Sequence, residues 1–404
     1  MPATSASSRT GILPAIVATF VFWATMIGTT VPTPLYPLYR AELGFSSLMV
    51  TILFAVYAIG VVVGLLFFGR LSDQIGRVPV MRISLGLAVV AAIVFLVADS
   101  VPALIVGRVI SGFGASLVTA AATAAIVEVL PVSLRPQAST FALVGNMGGL
   151  AGGTFIGGIV GEWVPTPLRS SWWVILVIAL LGVLATTLIP ETVATRSSVR
   201  LVVPRLVVPA AIRTVFVQTV LVGGSGFAVL GVLSSVNGIF LGSVMHVTNL
   251  FSAGLVVALA FLSVAIGQII ARGIPGPRAL PIASVGMIVA AGAIALALHQ
   301  ELVPPLFAGG IIAGLSTGIA LSGGLAAIAS GAAVTQRAQV IASFFAVLYT
   351  MLALPAIGVG ILIQLAGLLE AGIIFSGIVA VLAFLALINI LMSGRAAVSP
   401  QIGE

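Results

Sequence analysis

The chain has 404 residues, 60% hydrophobic and only 6% charged, with a formal net charge of +7. Soluble domains carry roughly 25% charged residues, so this chain cannot clothe a water-facing surface: a soluble enzyme, a disordered regulator and a nucleic-acid-binding domain are ruled out. The basic residues are all arginines and stand singly, with no basic stretch dense enough to track phosphates. There is no cysteine, so disulfides, thiolate catalysis and cysteine-held metals are absent.

A helix crossing the roughly 30 Å hydrocarbon layer needs about 20 mostly apolar residues. Twelve stretches qualify: 11–31, 47–68, 79–98, 102–126, 138–161, 170–189, 212–236, 250–271, 280–298, 304–328, 338–365 and 370–392. They are too long for barrel strands and do not alternate. The first follows Arg9 but is too long for a signal peptide and lacks a small-x-small cleavage site, so it is read as a span.

Arginine placement tests this count. With the N-terminus in the cytoplasm, the inner side holds Arg9, Arg70, Arg77, Arg82, Arg135, Arg196, Arg200, Arg205, Arg213, Arg272, Arg278, Arg337 and Arg395. The outer side holds Arg40 and Arg169, and Arg108 lies inside a span. This positive-inside bias predicts an all-α membrane protein with both termini cytoplasmic. The longest inner connection, 190–211, contains Pro204 and Pro209. It divides the chain into an N-terminal six-helix bundle, 1–189, and a C-terminal one, 212–404.

The halves repeat weakly at an offset of about 200 residues. Gly107 and Gly112 of the fourth span fall on Gly309 and Gly314 of the tenth, and Gly69 falls on Gly267. Arg108 falls on Gly310, so this charge belongs to the first half alone. Such a repeat fits a transporter built from two related bundles around a central cavity.

Three segments carry a resemblance. Between the second and third spans the chain reads Gly69-Arg70-Leu71-Ser72-Asp73-Gln74-Ile75-Gly76-Arg77. Glycines there permit a tight turn, and a carboxylate can accept backbone N–H groups or pair with arginine. The segment resembles the loop signature of the major facilitator superfamily at Gly69, Asp73, Gly76 and Arg77, with Gln74 in place of the usual basic residue. In that family the loop latches the cytoplasmic side and is released as the transporter changes state. The resemblance implies that Asp73 lies near Arg77 and the start of the eleventh span, with Glu128 and Arg135 in the same network.

The fourth span reads Arg108-Val-Ile-Ser111-Gly112-Phe-Gly114-Ala115-Ser116. It resembles the family's Arg-x-x-Gln-Gly-x-Gly-Ala-Ala pattern, with Ser111 at the glutamine position. An arginine inside a span either faces protein or a wet cavity, or snorkels to the surface. In the family this residue is implicated in proton coupling, and the resemblance gives Arg108 that role.

The fifth span repeats glycine every four residues, at Gly145, Gly149, Gly153, Gly157 and Gly161, with Gly148, Gly152 and Gly158 beside them. Such a stripe is a groove for a closely packed neighbour. Gly149-x-x-x-Gly153-Thr154-x-x-Gly157-Gly158 resembles the signature of drug–proton antiporters, with Thr154 where they carry proline. Thr33-Pro34-Leu35-Tyr36-Pro37-Leu38-Tyr39 looks like the family's outer loop, and Pro190-Glu191-Thr192 like its exit from span six.

The resemblance implies two pseudo-symmetric bundles, a cavity lined by spans one, four, seven and ten, and alternating access. No phosphate-binding Gly-x-x-x-x-Gly-Lys is present, so a proton gradient rather than ATP is expected, with no cofactor and no metal. Candidate substrate contacts are Trp23, Tyr57, Asn146, Gln218 and Tyr349, any of which could equally serve helix packing. No Asp, Glu or His lies near the middle of a span. The expected substrate is therefore a small, moderately hydrophobic molecule, drugs included, exported across a bacterial cytoplasmic membrane by a monomer. Export of a sugar or metabolite, or uniport, is the alternative within the same architecture. A membrane enzyme is disfavoured, because His246 and His299 have no paired ligand at helical spacing. A channel is disfavoured because nothing resembles a selectivity filter.

Overall fold

The computed structural model describes residues 10–194, 198–199, 206–333 and 336–396. Arg9, Arg196, Arg200, Arg205 and Pro204 lie outside the described residues, as does part of the expected connection 190–211.

Fourteen α-helices are found among the described residues. They are α1 (Ile12–Thr30), α2 (Pro32–Leu43), α3 (Ser47–Phe68), α4 (Leu71–Ile75), α5 (Arg77–Leu96), α6 (Val101–Val129) and α7 (Ala138–Trp163). There follow α8 (Pro167–Ala185), α9 (Arg213–Ser243), α10 (Leu250–Ile270), α11 (Gly276–His299), α12 (Val303–Gly331), α13 (Arg337–Ala366) and α14 (Leu368–Ala396). Among the described residues, twelve segments are long and apolar enough to cross a membrane. Arg70, Arg77, Arg135, Arg213, Arg272, Arg278 and Arg337 gather on one face of the molecule, and Arg40 and Arg169 on the other.

The expected loop Thr33–Tyr39 is helical. Val31, between α1 and α2, keeps right-handed helical angles, and the two helices form one segment of 32 residues. Pro32 occupies a first-turn position that needs no N–H. Leu35, Tyr36 and Tyr39 are buried, and burying them stabilises the extension where local propensity would end it.

The helix contacts repeat between the halves. α6 packs on α5, α3 and α1, and α12 packs in the same way on α11, α10 and α9. α7 packs on α1 as α13 packs on α9. Across the halves, α7 meets α10 and α3 meets α13, the two contacts that a twofold relation would exchange. The glycine pairing holds in part. Gly107 abuts Phe95 of α5 and Gly309 abuts Ile294 of α11; Gly112 abuts Gly60 of α3 and Gly314 abuts Ala260 of α10. Gly69 and Gly267 are not counterparts: Gly267 packs on α12 as Gly64 packs on Ser116 of α6.

The first, fourth and seventh spans are the most enclosed. Peripheral helices turn large apolar side chains outward, with Trp173, Val177, Leu181 and Leu184 on α8 and Ile378, Val381, Phe384 and Leu391 on α14. Such a belt suits hydrocarbon, not water.

Candidate functional site

Arg108 sits about two turns into α6 and is 1% exposed. It does not snorkel. Its Nε donates to the Leu53 carbonyl (3.2 Å) and Nη1 to the Thr29 carbonyl (2.5 Å). The guanidinium carbon lies 4.7 Å from the Tyr57 ring and 5.9 Å from that of Phe54. A desolvated cation–aromatic contact is worth about 2 kcal/mol. No acidic side chain among the described residues forms an ion pair with Arg108. The expected access to a wet passage is closed here, because protein surrounds the group. Ser111, at the glutamine position, donates to the Arg108 carbonyl in its own helix (2.9 Å).

Aromatic pairs stand near mid-helix on either side of the interface. On the N-terminal side Phe54 and Tyr57 of α3 lie 6.4 Å apart, and on the other side Phe227 of α9 and Tyr349 of α13 pack edge to face at 6.1 Å. Phe54 packs beside Gly231 of α9, and α3 packs on α13, so the helices that carry Tyr57 and Tyr349 meet at the interface. Trp23 lies apart from them. Its indole stacks on Phe20 at 6.1 Å and donates to the Gly148 carbonyl at 3.1 Å. Asn146 is half-buried on α7. Gln218 is drawn elsewhere: its amide donates to Asn389 (2.9 Å) and Ser393 (3.4 Å) of α14. That amide ties two helices of the C-terminal bundle, the packing role left open for it.

The glycine stripe has two faces. Gly145, Gly149, Gly153 and Gly157 lie against Phe22, Met26, Ile27 and Val31, so the groove receives α1 inside its own bundle. Gly158 instead meets Gly254 and Phe251 of α10, across the interface. Thr154 is buried and donates to the Ala151 carbonyl at 3.0 Å. With no proline there, α7 runs unbroken.

On the arginine-poor face, Pro37 lies against Gly238 of α9. Tyr39 accepts from the Trp172 indole (2.7 Å), and Glu162 accepts from the Leu250 N–H (2.8 Å) at the start of α10. Of these, the Pro37–Gly238 and Glu162–Leu250 contacts join the two halves at this face. On the opposite face, Arg272 of the short turn after α10 donates to Ser139 and Thr140 of α7.

The loop 69–77 contains α4 and a glycine turn. Gly76 has φ +111°, where side chains are strongly disfavoured. Arg77 donates through Nη1 to Asp73 and to Ser72 (2.8 Å), and through Nη2 and Nε to Glu128 (2.9 and 3.3 Å). Thr192 also donates to Glu128. Glu191 accepts the backbone N–H groups of Arg77 (2.9 Å) and Val78 (3.1 Å), capping α5. The expected Asp73–Arg77 pair and Glu128 are present. Arg135 is exposed in a 3₁₀ turn and stays outside the network among the described residues. Asp73 bonds to Arg77 rather than to the eleventh span among the described residues. Sequence reasoning missed Ser72, Glu191 and Thr192. The signal for the last two was a carboxylate and a hydroxyl directly after span six, on the arginine-rich side.

The family model described as Major Facilitator Superfamily matches residues 18–307. The uncharacterized MFS-type transporter Rv1250 of Mycobacterium tuberculosis is 31% identical over 157 residues, which cover 37% of this chain and 27% of that protein. The quinolone resistance protein NorA of Staphylococcus aureus is 27% identical over 143 residues, 35% of this chain and 37% of that one. The multidrug resistance protein MdtL of Klebsiella pneumoniae is 37% identical over 79 residues, 20% of each chain. The chain thus matches well under half the length of these relatives. Among solved structures, a bacterial homologue of the human lysosomal transporter Spinster, inward-facing and unoccupied, aligns with a TM-score of 0.72 at 16% identity, over 96% of this chain and 99% of that one. The human organic anion transporter MFSD10 aligns with a TM-score of 0.64 at 16% identity, over 94% and 99%.

Proposed function

This chain belongs to the Major Facilitator Superfamily, a family of membrane transporters, and we propose that it exports small, moderately hydrophobic molecules by alternating access, coupled to inward proton flow. The observation that carries this reading is the two aromatic pairs on helices that meet at the interface, Phe54 with Tyr57 and Phe227 with Tyr349. Aromatic faces hold apolar and planar molecules, and the spans offer no mid-membrane carboxylate to select dications. NorA and MdtL, named for quinolone and multidrug resistance, support the same direction.

In this reading the arginine-rich face is cytoplasmic, in a bacterial inner membrane, and the monomer is the working unit. The contacts of α2 with α9 and of α7 with α10 are the external gate in its closed position. The Asp73–Arg77–Glu128 network acts as the latch on the cytoplasmic side, where Arg272 also ties α10 to α7. Arg108 is not itself the proton carrier. It couples by biasing neighbouring groups.

The test is growth protection in cells lacking their own pumps, with Asp73→Asn as control, followed by proton flux in proteoliposomes. Protection against several unrelated compounds, with protons entering as substrate is added, is the expected result. Arg108→Ala should lose concentrative transport and keep passive exchange. A response to one metabolite alone would overturn the reading.

A further inference from the structure

A recess in a membrane-spanning wall can hold water, protein or lipid, and the chemistry of its lining decides which. Ordered water needs two to four polar partners, whereas apolar cavities of about 150 Å³ stay dry and take up apolar molecules. Between α9, α13 and α14 lies a cavity of about 230 Å³. Its one polar side chain is Ser225, whose hydroxyl donates to the Leu221 carbonyl within α9 (2.5 Å). The rest of the lining is apolar, with Ala228, Met351, Leu362, Phe375 and Leu382 in it. α13 leaves the space: Gly358 has no side chain, and nothing stands within 4 Å of where its Cβ would be. The matching seam of the first half, α7 on α1, is close-packed, because a Cβ on Gly145, Gly149 or Gly153 would strike α1.

Position and length identify the occupant. Ile378, part of the outward apolar belt, forms one wall, so the cavity opens toward hydrocarbon. Ala228, Met351 and Leu382 stand at the middle of their helices, and Leu362 near the arginine-poor end of α13. From Met351 to Leu362 the groove climbs about 16 Å along the helix, the depth of one leaflet of the roughly 30 Å layer. Left empty, its walls would forfeit van der Waals contacts that a hydrocarbon chain restores. We propose that the groove seats one acyl chain of a phospholipid from the leaflet on the arginine-poor side. Ser225 and Met351 stand two residues from Phe227 and Tyr349, about 200° round their helices. The chain therefore lies behind that aromatic pair and backs α9 and α13 without entering the interface. The site holds whatever molecule is transported.

The test uses the full chain in phosphatidylcholine nanodiscs doped with the same lipid carrying a photoreactive diazirine on one acyl chain. After illumination, peptide mass spectrometry maps the labelled residues. Expected is about tenfold more label on Met351 and Phe375 than on Val177 and Leu181 of the outward α8 belt. A diazirine near the glycerol should mark Leu362, and one near the methyl end Met351 and Leu382. Gly358→Phe fills the groove and should cut the label there about tenfold while sparing α8. The wild-type ratio and the depth order stand even if that variant fails to fold. Equal labelling of groove and belt, a reversed depth order, or unchanged groove label in a folded Gly358→Phe protein would overturn the proposal. So would groove label that disappears when each nanodisc holds two copies instead of one, which would give this face to a second copy of the chain. No export is measured, so this result and the result of the export test fail separately.

Discussion

Replacing Gly76 by alanine should be among the most damaging small changes on the arginine-rich face. Gly76 has φ +111° and ψ 153°, a region populated almost only by glycine, and forcing another residue into it costs about 1–3 kcal/mol. A Cβ there would also stand 2.9 Å from the Glu191 carboxyl carbon. The carboxylate must then leave the N–H groups of Arg77 and Val78. Losing a helix-end cap costs about 0.5–2 kcal/mol, and the exposure of Glu191 favours the lower half of that range. Together these give about 2–4 kcal/mol. Unfolding in mixed micelles, titrated with a denaturing detergent and followed by fluorescence, measures it. Because Gly76→Ala already removes the cap, adding Glu191→Ala should cost less than it does alone, by about 0.5–1 kcal/mol. A Gly76→Ala protein as stable as the wild type, or two strictly additive substitutions, would refute the reasoning.

Three further outcomes are expected. Gly254→Val has no room beside Gly158 and the Thr154 carbonyl and should destabilise by about 1–3 kcal/mol, whereas Gly377→Ala on α14, with open space around it, should be neutral or stabilise by up to about 1 kcal/mol; the same titration compares them. Gln218→Leu should keep transport while loosening α9 from α14, and selective loss of some substrates from a folded protein would return Gln218 to the binding site. Glu162→Gln keeps an acceptor but loses its charge at the start of α10, weakening that closure by about 0.3–1 kcal/mol. Spin labels at Val164 and Thr248 should then report a larger separated population, and an unchanged distance distribution would count against a gating role.

The twelve spans were legible because hydrocarbon demands long apolar runs, and little else in a sequence imitates them. The α2 extension was not legible. Pro32, Pro34 and Pro37 carry the local signature of a loop, and only the burial of Leu35, Tyr36 and Tyr39 against other helices overrides it. Asp73, Arg77 and Glu128 were readable because charges are scarce here and motif spacing places them. Glu191 escaped because it acts on backbone N–H groups, which leave no mark in the composition. Gln218 and Trp23 show the limit from the other side. A polar or aromatic residue in a span can face a substrate or a neighbouring helix, and only tertiary geometry decides. The glycine stripe was plain, but which glycine faces which partner depends on helix rotation, which one sequence does not specify.

The division of labour along α7 has a mechanical consequence. Four of its glycines clasp the continuous α1–α2 segment, so α7 and that segment must travel as one rod during any rearrangement. Gly158 and Gly254 touch bare backbone to bare backbone, a joint with no side chains to interlock. Such a joint can part and close again without a change of rotamer, and it marks a seam along which the halves would separate.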